Sequence, residues 1–145
     1  MRSGGWADAP RDVRAIVGAQ VVVLGYGTVV HVVHLVAGGL TPYDWAPAWL
    51  AAYFTALTVA DPLAAALLLA RRAAGLYLSV AVLVTDAAAN GYAVYGLHGG
   101  GPLAGVSQAL ITLMAVAAVV TAPRVRRWLH RRRPSAWAAS CQDDA

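Results

Sequence analysis

Four long apolar stretches, residues 13–37, 45–70, 73–97 and 103–122, occupy most of this chain and leave little between them. Each reaches or exceeds the roughly 20 residues needed to cross a hydrocarbon layer about 30 Å thick. Between Ala15 and Ala70 the only formal charges are Asp44 and Asp61, and between Ala73 and Pro123 the only one is Asp86. A soluble four-helix bundle needs a polar outer stripe on every helix, and none of these stretches carries one. Only 12% of the residues are charged, about half the share usual in soluble domains. The apolar content excludes disorder, and the single cysteine, Cys141, excludes a disulfide scaffold. The expected fold is all-α, an integral membrane four-helix bundle.

Orientation follows from the arginines. Every basic residue is Arg and every acid is Asp, a bias that points to a GC-rich bacterial genome. Arg2, Arg11 and Arg14 lie before or at the start of the first stretch, Arg71 and Arg72 join the second to the third, and the other six follow the fourth. All of them fall on one side of an even-numbered topology, which the positive-inside rule makes cytoplasmic. The opposite connections, 38–44 and 96–102, contain no Arg. Links this short make successive helices antiparallel neighbours, so the expected arrangement is up-down-up-down with both termini in the cytoplasm. The expected location is a bacterial plasma (inner) membrane. Tyr43, Trp45, Trp49 and Tyr95 mark the outer boundary and Trp128 the inner one. The first apolar run, about 24 residues, is too long for a cleavable signal and reads as a signal-anchor.

Three regions result: a cytoplasmic segment 1–12, a transmembrane domain 13–122 and a tail 123–145. The tail opens on a basic run from Arg124 to Arg133 and closes on polar sequence of disordered character. The expected partner of that run is the bilayer itself, through anionic headgroups. Nucleic acid is not an expected partner. A membrane-protein partner and a second copy of the chain both stay open. Cys141 is expected to be a reduced thiol and has no assigned role.

With no soluble domain, any chemistry must come from polar groups inside the bundle, where ionisable residues are costly and face the protein interior. In the first stretch Gln20, Gly27, His31 and His34 share one helical face. In the third, Gly75, Ser79, Asp86, Asn90 and Ala93 form a similar stripe, and the fourth adds Gln108, Thr112 and Ala115. At about 1.5 Å per residue above the nearest arginine, His31 lies at about 26 Å, His34 at about 30 Å, Asp86 at about 21 Å, Asn90 at about 27 Å and Gln108 at about 24 Å. These five are the candidates for a ligand-binding or proton-handling cluster in the outer half.

Asp61 lies lower, about 15 Å above Arg71 on the same rise. A central Asp costs about 2.5–3.5 kcal/mol on the insertion scale, nearly cancelling eight strongly apolar residues at about 0.3–0.6 kcal/mol each. Two readings stand side by side. Asp61 precedes Pro62, whose ring frees the carbonyl of Thr58, so Asp61 can cap a half-helix restarting at Pro62. Alternatively it handles a proton or cation.

His31 and His34, three residues apart, can supply two ligands to Zn or Cu, with Asp86 or His98 completing the site. No HExxH or CxxC accompanies them, and a haem would find only His98 as a facing ligand. The bland alternative is a hydrogen-bonded arrangement with Asp86 or Asn90. No P-loop, dinucleotide fingerprint or nucleophile elbow is present. Three functions therefore remain. One is a non-enzymatic membrane protein whose outer-half polar pocket binds or moves a small ligand or proton. Another is a structural or assembly subunit of a membrane complex. The third is a membrane-embedded enzyme using a His–Asp acid–base pair on a lipid-like substrate.

The topology has a direct test. Cysteines placed at Gly39 and Gly100 should react with an impermeant thiol reagent in intact cells, and one at Arg72 should not. Labelling at Arg72 without labelling at Gly39 would reverse the orientation.

Overall fold

The computed structural model describes residues 5–39, 41–97 and 101–130. A single helical turn at Trp6–Asp8 leads into α1 (Arg11–Gly38), followed by α2 (Ala48–Leu69), α3 (Ala73–Gly91) and α4 (Pro102–His130). After Gly91 the third helix widens into a π-helical turn, Tyr92–Gly96. All four helices are long and apolar enough to cross a membrane. Pro10 and Pro47 stand immediately before α1 and α2. At such positions the missing proline N–H costs little and the fixed φ favours entry into the helix. The basic residues Arg124, Arg126 and Arg127 ride on the last turns of α4, and the rest of the tail, Cys141 included, lies outside the described residues.

Each helix packs on the next in sequence, and α4 closes back on α1. The buried positions follow the seam expected of closely packed helices. In α2 they are Leu50, Phe54, Leu57, Asp61, Ala64 and Leu68, alternating spacings of four and three. In α4 the seam is Gln108, Ala115, Ala118 and Val125. The outward faces are apolar, with Val22, Val29 and Val36 on α1 and Leu103, Leu110 and Leu113 on α4 among the exposed residues. A face of this kind suits hydrocarbon and not water.

One end of the assembly is tied together from distant parts of the sequence. Trp6 Nε1 donates to the Leu69 carbonyl at 2.8 Å, and the Trp6 and Trp128 rings stack at 5.0 Å. Arg124 pairs with Asp12. The start of α1, the end of α2 and the end of α4 therefore meet.

Between α2 and α3 the chain reverses in three residues. The Arg72 N–H bonds the Leu67 carbonyl and the Arg71 N–H bonds the Leu68 carbonyl, while Arg71 adopts φ +58°. This is a Schellman closure with arginine in the left-handed position that glycine normally takes. The reversal is so tight that Gly75, on the first turn of α3, lies directly against the backbone of Leu67 and Leu68. A Cβ at Gly75 has no room, so Gly75→Ala should cost about 1–3 kcal/mol by overpacking. Gly18, with nothing near its missing Cβ, is the control. Thermal unfolding in detergent should show a lowered midpoint for Gly75→Ala and little change for Gly18→Ala.

Candidate functional site

The interior polar groups fall into three levels. Nearest the tied end, Ser79 Oγ lies 3.0 Å from Gln20 Oε1 and 3.0 Å from the Leu76 carbonyl, so one hydroxyl proton serves both acceptors. Gln20 and Ser79 are both almost fully buried, yet Gln20 Nε2 has no partner.

Asp61 occupies the middle level. It is 4% exposed, and its carboxylate projects at α1, where a Cβ on Gly27 would stand 2.5 Å from Asp61 Oδ2. Gly27 is therefore the absent side chain that makes space for the acid. The helical assignment of α2 runs unbroken from Ala48 to Leu69 with Pro62 inside it, so no separate half-helix begins there. A proline removes one backbone donor without obliging the chain to leave the helix when neighbouring helices hold both halves. Thr58 Oγ1, on the preceding turn, is buried and unpaired.

The upper level centres on His31. Its Nδ1 is 3.0 Å from the Tyr43 hydroxyl, and its ring stacks on Phe54 at 5.9 Å. Tyr43 comes from the connection between α1 and α2 and is itself buried, with its ring 5.3 Å from Phe54. Burial, reinforced by the Asp86 charge, pushes the Tyr43 phenol above its ordinary value. The phenol thus keeps its proton, and which of the two groups donates follows the imidazole tautomer. Asp86, half-buried on α3, accepts from Asn90 Nδ2 at 2.7 Å, and the same amide donates to the Asp86 carbonyl at 3.1 Å. Asp86 also lies close enough to Tyr43, Tyr53 and Asp61 to act on them electrostatically. Gln108 Nε2 crosses to the Ala87 carbonyl at 2.8 Å and bonds Thr112 Oγ1 at 3.1 Å, while its Oε1 remains unpaired.

The sequence-derived cluster is thus divided. His31 and Gln108 are buried, Asp86 and Asn90 are half-buried, and His34 is exposed. The His34 ring meets Tyr43 edge-on at 5.6 Å. His31 and His34 both meet Tyr43, the first through a hydrogen bond and the second edge-on, and no group of three metal-ligating side chains occurs among the described residues. His98 lies outside the described residues. Asp86 is satisfied by Asn90 one turn along its own helix, and the partner of His31 is Tyr43. Sequence reasoning placed Tyr43 at the membrane boundary as an interfacial aromatic. Nothing in the local pattern announces that it turns inward, because its partner is reached only through the tertiary fold. Ser79, from the polar stripe of α3, is bonded to Gln20.

Comparison of the chain with protein-family models, with curated proteins and with solved structures finds no match.

The pairing is measurable by a double-mutant cycle. His31→Ala and Tyr43→Phe should be non-additive in detergent stability by about 0.5–1.5 kcal/mol, the usual net worth of one such bond. His31→Ala with Asp86→Ala should show the smaller coupling. The reverse order would separate His31 from Tyr43.

Proposed function

We propose that this is a non-enzymatic, multi-pass plasma-membrane protein of bacterial type whose polar interior binds or moves a small ligand or a proton. The observation that supports it is the burial of Gln20, His31, Asp61, Ser79 and Gln108, contributed by all four helices to inward-facing seams. Polar groups that merely glue helices together are normally satisfied in full. Here Gln20 Nε2, Thr58 Oγ1 and Gln108 Oε1 are buried without partners. Such atoms suit a transient occupant, a water or a ligand polar group, better than dry packing.

In this reading the helices run up-down-up-down with both termini in the cytoplasm. The arginine distribution supports that orientation, and the contacts of Trp6 with Leu69 and Trp128 support the alternation of the helices. The arginine-bearing end meets anionic headgroups. A cavity of about 180 Å3 lined by Pro10, Val13, Arg124, Arg127 and Trp128 opens there, and two guanidinium groups beside an indole suit a phosphate at the interface. The upper cluster of His31, Asp86, Asn90 and Gln108 faces the opposite side and forms the outer half of the polar interior.

A second reading, a structural subunit held to another membrane protein or to a second copy, is favoured by two observations. Ser79–Gln20 and Gln108–Ala87 fasten neighbouring helices directly, and the outer faces are unbroken apolar surfaces.

Vesicles containing the purified protein and a trapped pH indicator separate the two. Under an imposed pH gradient they should equilibrate several-fold faster than protein-free vesicles, and Asp86→Asn should return the rate to that of the bare bilayer. Equal rates with and without the wild-type protein would leave the structural reading in place.

A further inference from the structure

We propose that Asp61 is a proton-binding site that holds its carboxyl as a neutral acid in the resting protein. This rests on the interior being a binding site, and it names the occupant and the residue. Asp61 is 4% exposed, and no hydrogen-bond donor reaches its carboxylate among the described residues. The charges around it do not compensate an anion. From α3 it faces Asp86, a second acid. From its own helix the neighbouring ionisable group is Tyr53. On α1 it faces Gly27, with His31 one turn further along and engaged with Tyr43 of the connecting segment. The stretch of α4 between Pro102 and Pro123 has no ionisable side chain. The nearest arginine along α2 is Arg71, about 15 Å away at helical rise. An ionised carboxylate so placed is buried unpaired beside a like charge, the arrangement a low-dielectric interior tolerates least.

A proton removes that penalty, and the sequence supplies somewhere for it to point. Because residue 62 is proline, the Thr58 carbonyl on the same stretch of helix lacks its usual donor. The Thr58 hydroxyl is a second buried oxygen without a partner. A neutral acid contributes one donor on a stretch of helix where proline leaves the Thr58 carbonyl without its ordinary i+4 donor and the Thr58 hydroxyl oxygen is unpaired. A metal cation such as calcium takes about six to eight oxygen ligands, which asks more of this site than a single proton does. Gly27 completes the site: any side chain there would displace the carboxyl from between α1 and α2.

Infrared spectroscopy of the full chain in lipid vesicles, with isotope-labelled aspartate, reads this directly. A carboxyl in water is ionised at neutral pH, so a protonated-carboxyl carbonyl band must come from one held out of it. The wild type should show the band, Asp61→Asn should lose at least half of it, and Asp86→Asn should retain the Asp61 share. No band in the wild type, or an undiminished band in Asp61→Asn, overturns the proposal. A second measurement uses the wild type alone. A hydrophobic carbodiimide adds the carboxyl O–H across one of its C=N bonds, and the acyl group then shifts to nitrogen to give a stable acylurea with nothing released. Peptide mass spectrometry should find the adduct on Asp61, diminishing as the pH is raised. Protection by sodium, potassium or calcium at constant pH would assign the seat to a cation and overturn the proposal. Slow proton flux with the band present would defeat the transport reading and leave Asp61 as a fixed proton site.

Discussion

A polar group inside a bilayer has no water to fall back on, so its partner must come from the protein, and that requirement governs this molecule. The consequence is visible in where the polar residues sit. Gln20, Asp61, Ser79 and Gln108 occupy seam positions that leucine or alanine fills elsewhere along the same helices. Each draws a neighbouring helix close: Ser79 toward Gln20, Gln108 toward the backbone of α3, Asp61 toward the bare backbone at Gly27. Lipid tails are as apolar as leucine, so burying leucine alone gives helices little reason to associate there. Polar seams and small residues give both attraction and register.

The separation between what was legible in the sequence and what was not follows the range of the interactions involved. Four membrane-compatible helices were readable because length and charge depletion are local properties. The facing of Gln20, Gly27 and His31 toward the interior was readable because helical periodicity fixes direction. Partners were not. His31 sits at nearly the same estimated depth as Asp86 and Asn90, yet depth along a helix says nothing of azimuth between helices. Tyr43, twelve residues on and in a connecting segment, takes the bond. His34 shares the sequence stripe of His31 but is exposed, since three residues, about 300° of turn, carry it past the edge of a narrow seam. At Asp61 the aspartate–proline pair suggested a helix start, whereas the helix continues and the acid faces another helix. Local grammar competed there with tertiary packing, and packing decided the outcome.

The polar interior is also uneven in its satisfaction. Thr28, Thr55, Thr85 and Thr121 return their hydroxyls to carbonyls one turn back on their own helices, the common way to carry threonine through an apolar environment. Thr58 departs from that habit, and it stands one turn before Asp61. An unpaired hydroxyl one turn before a buried acid, with Gln20 Nε2 and Gln108 Oε1 unpaired at the levels below and above, spreads the unsatisfied atoms along the whole polar interior.

The reversal between α2 and α3 carries a different lesson. A left-handed residue other than glycine costs of order 1 kcal/mol, and the sequence accepts that cost at Arg71 in a turn where glycine would close the helix at ease. Arg71 and Arg72 are the only formal charges between the second and third apolar stretches, and charge at the rim of an apolar helix belongs at the polar edge of a bilayer and not in its hydrocarbon. One residue therefore meets two demands at once, a charge at the end of an apolar stretch and the left-handed step that closes α2, and the mild strain of the second is the cost of combining them.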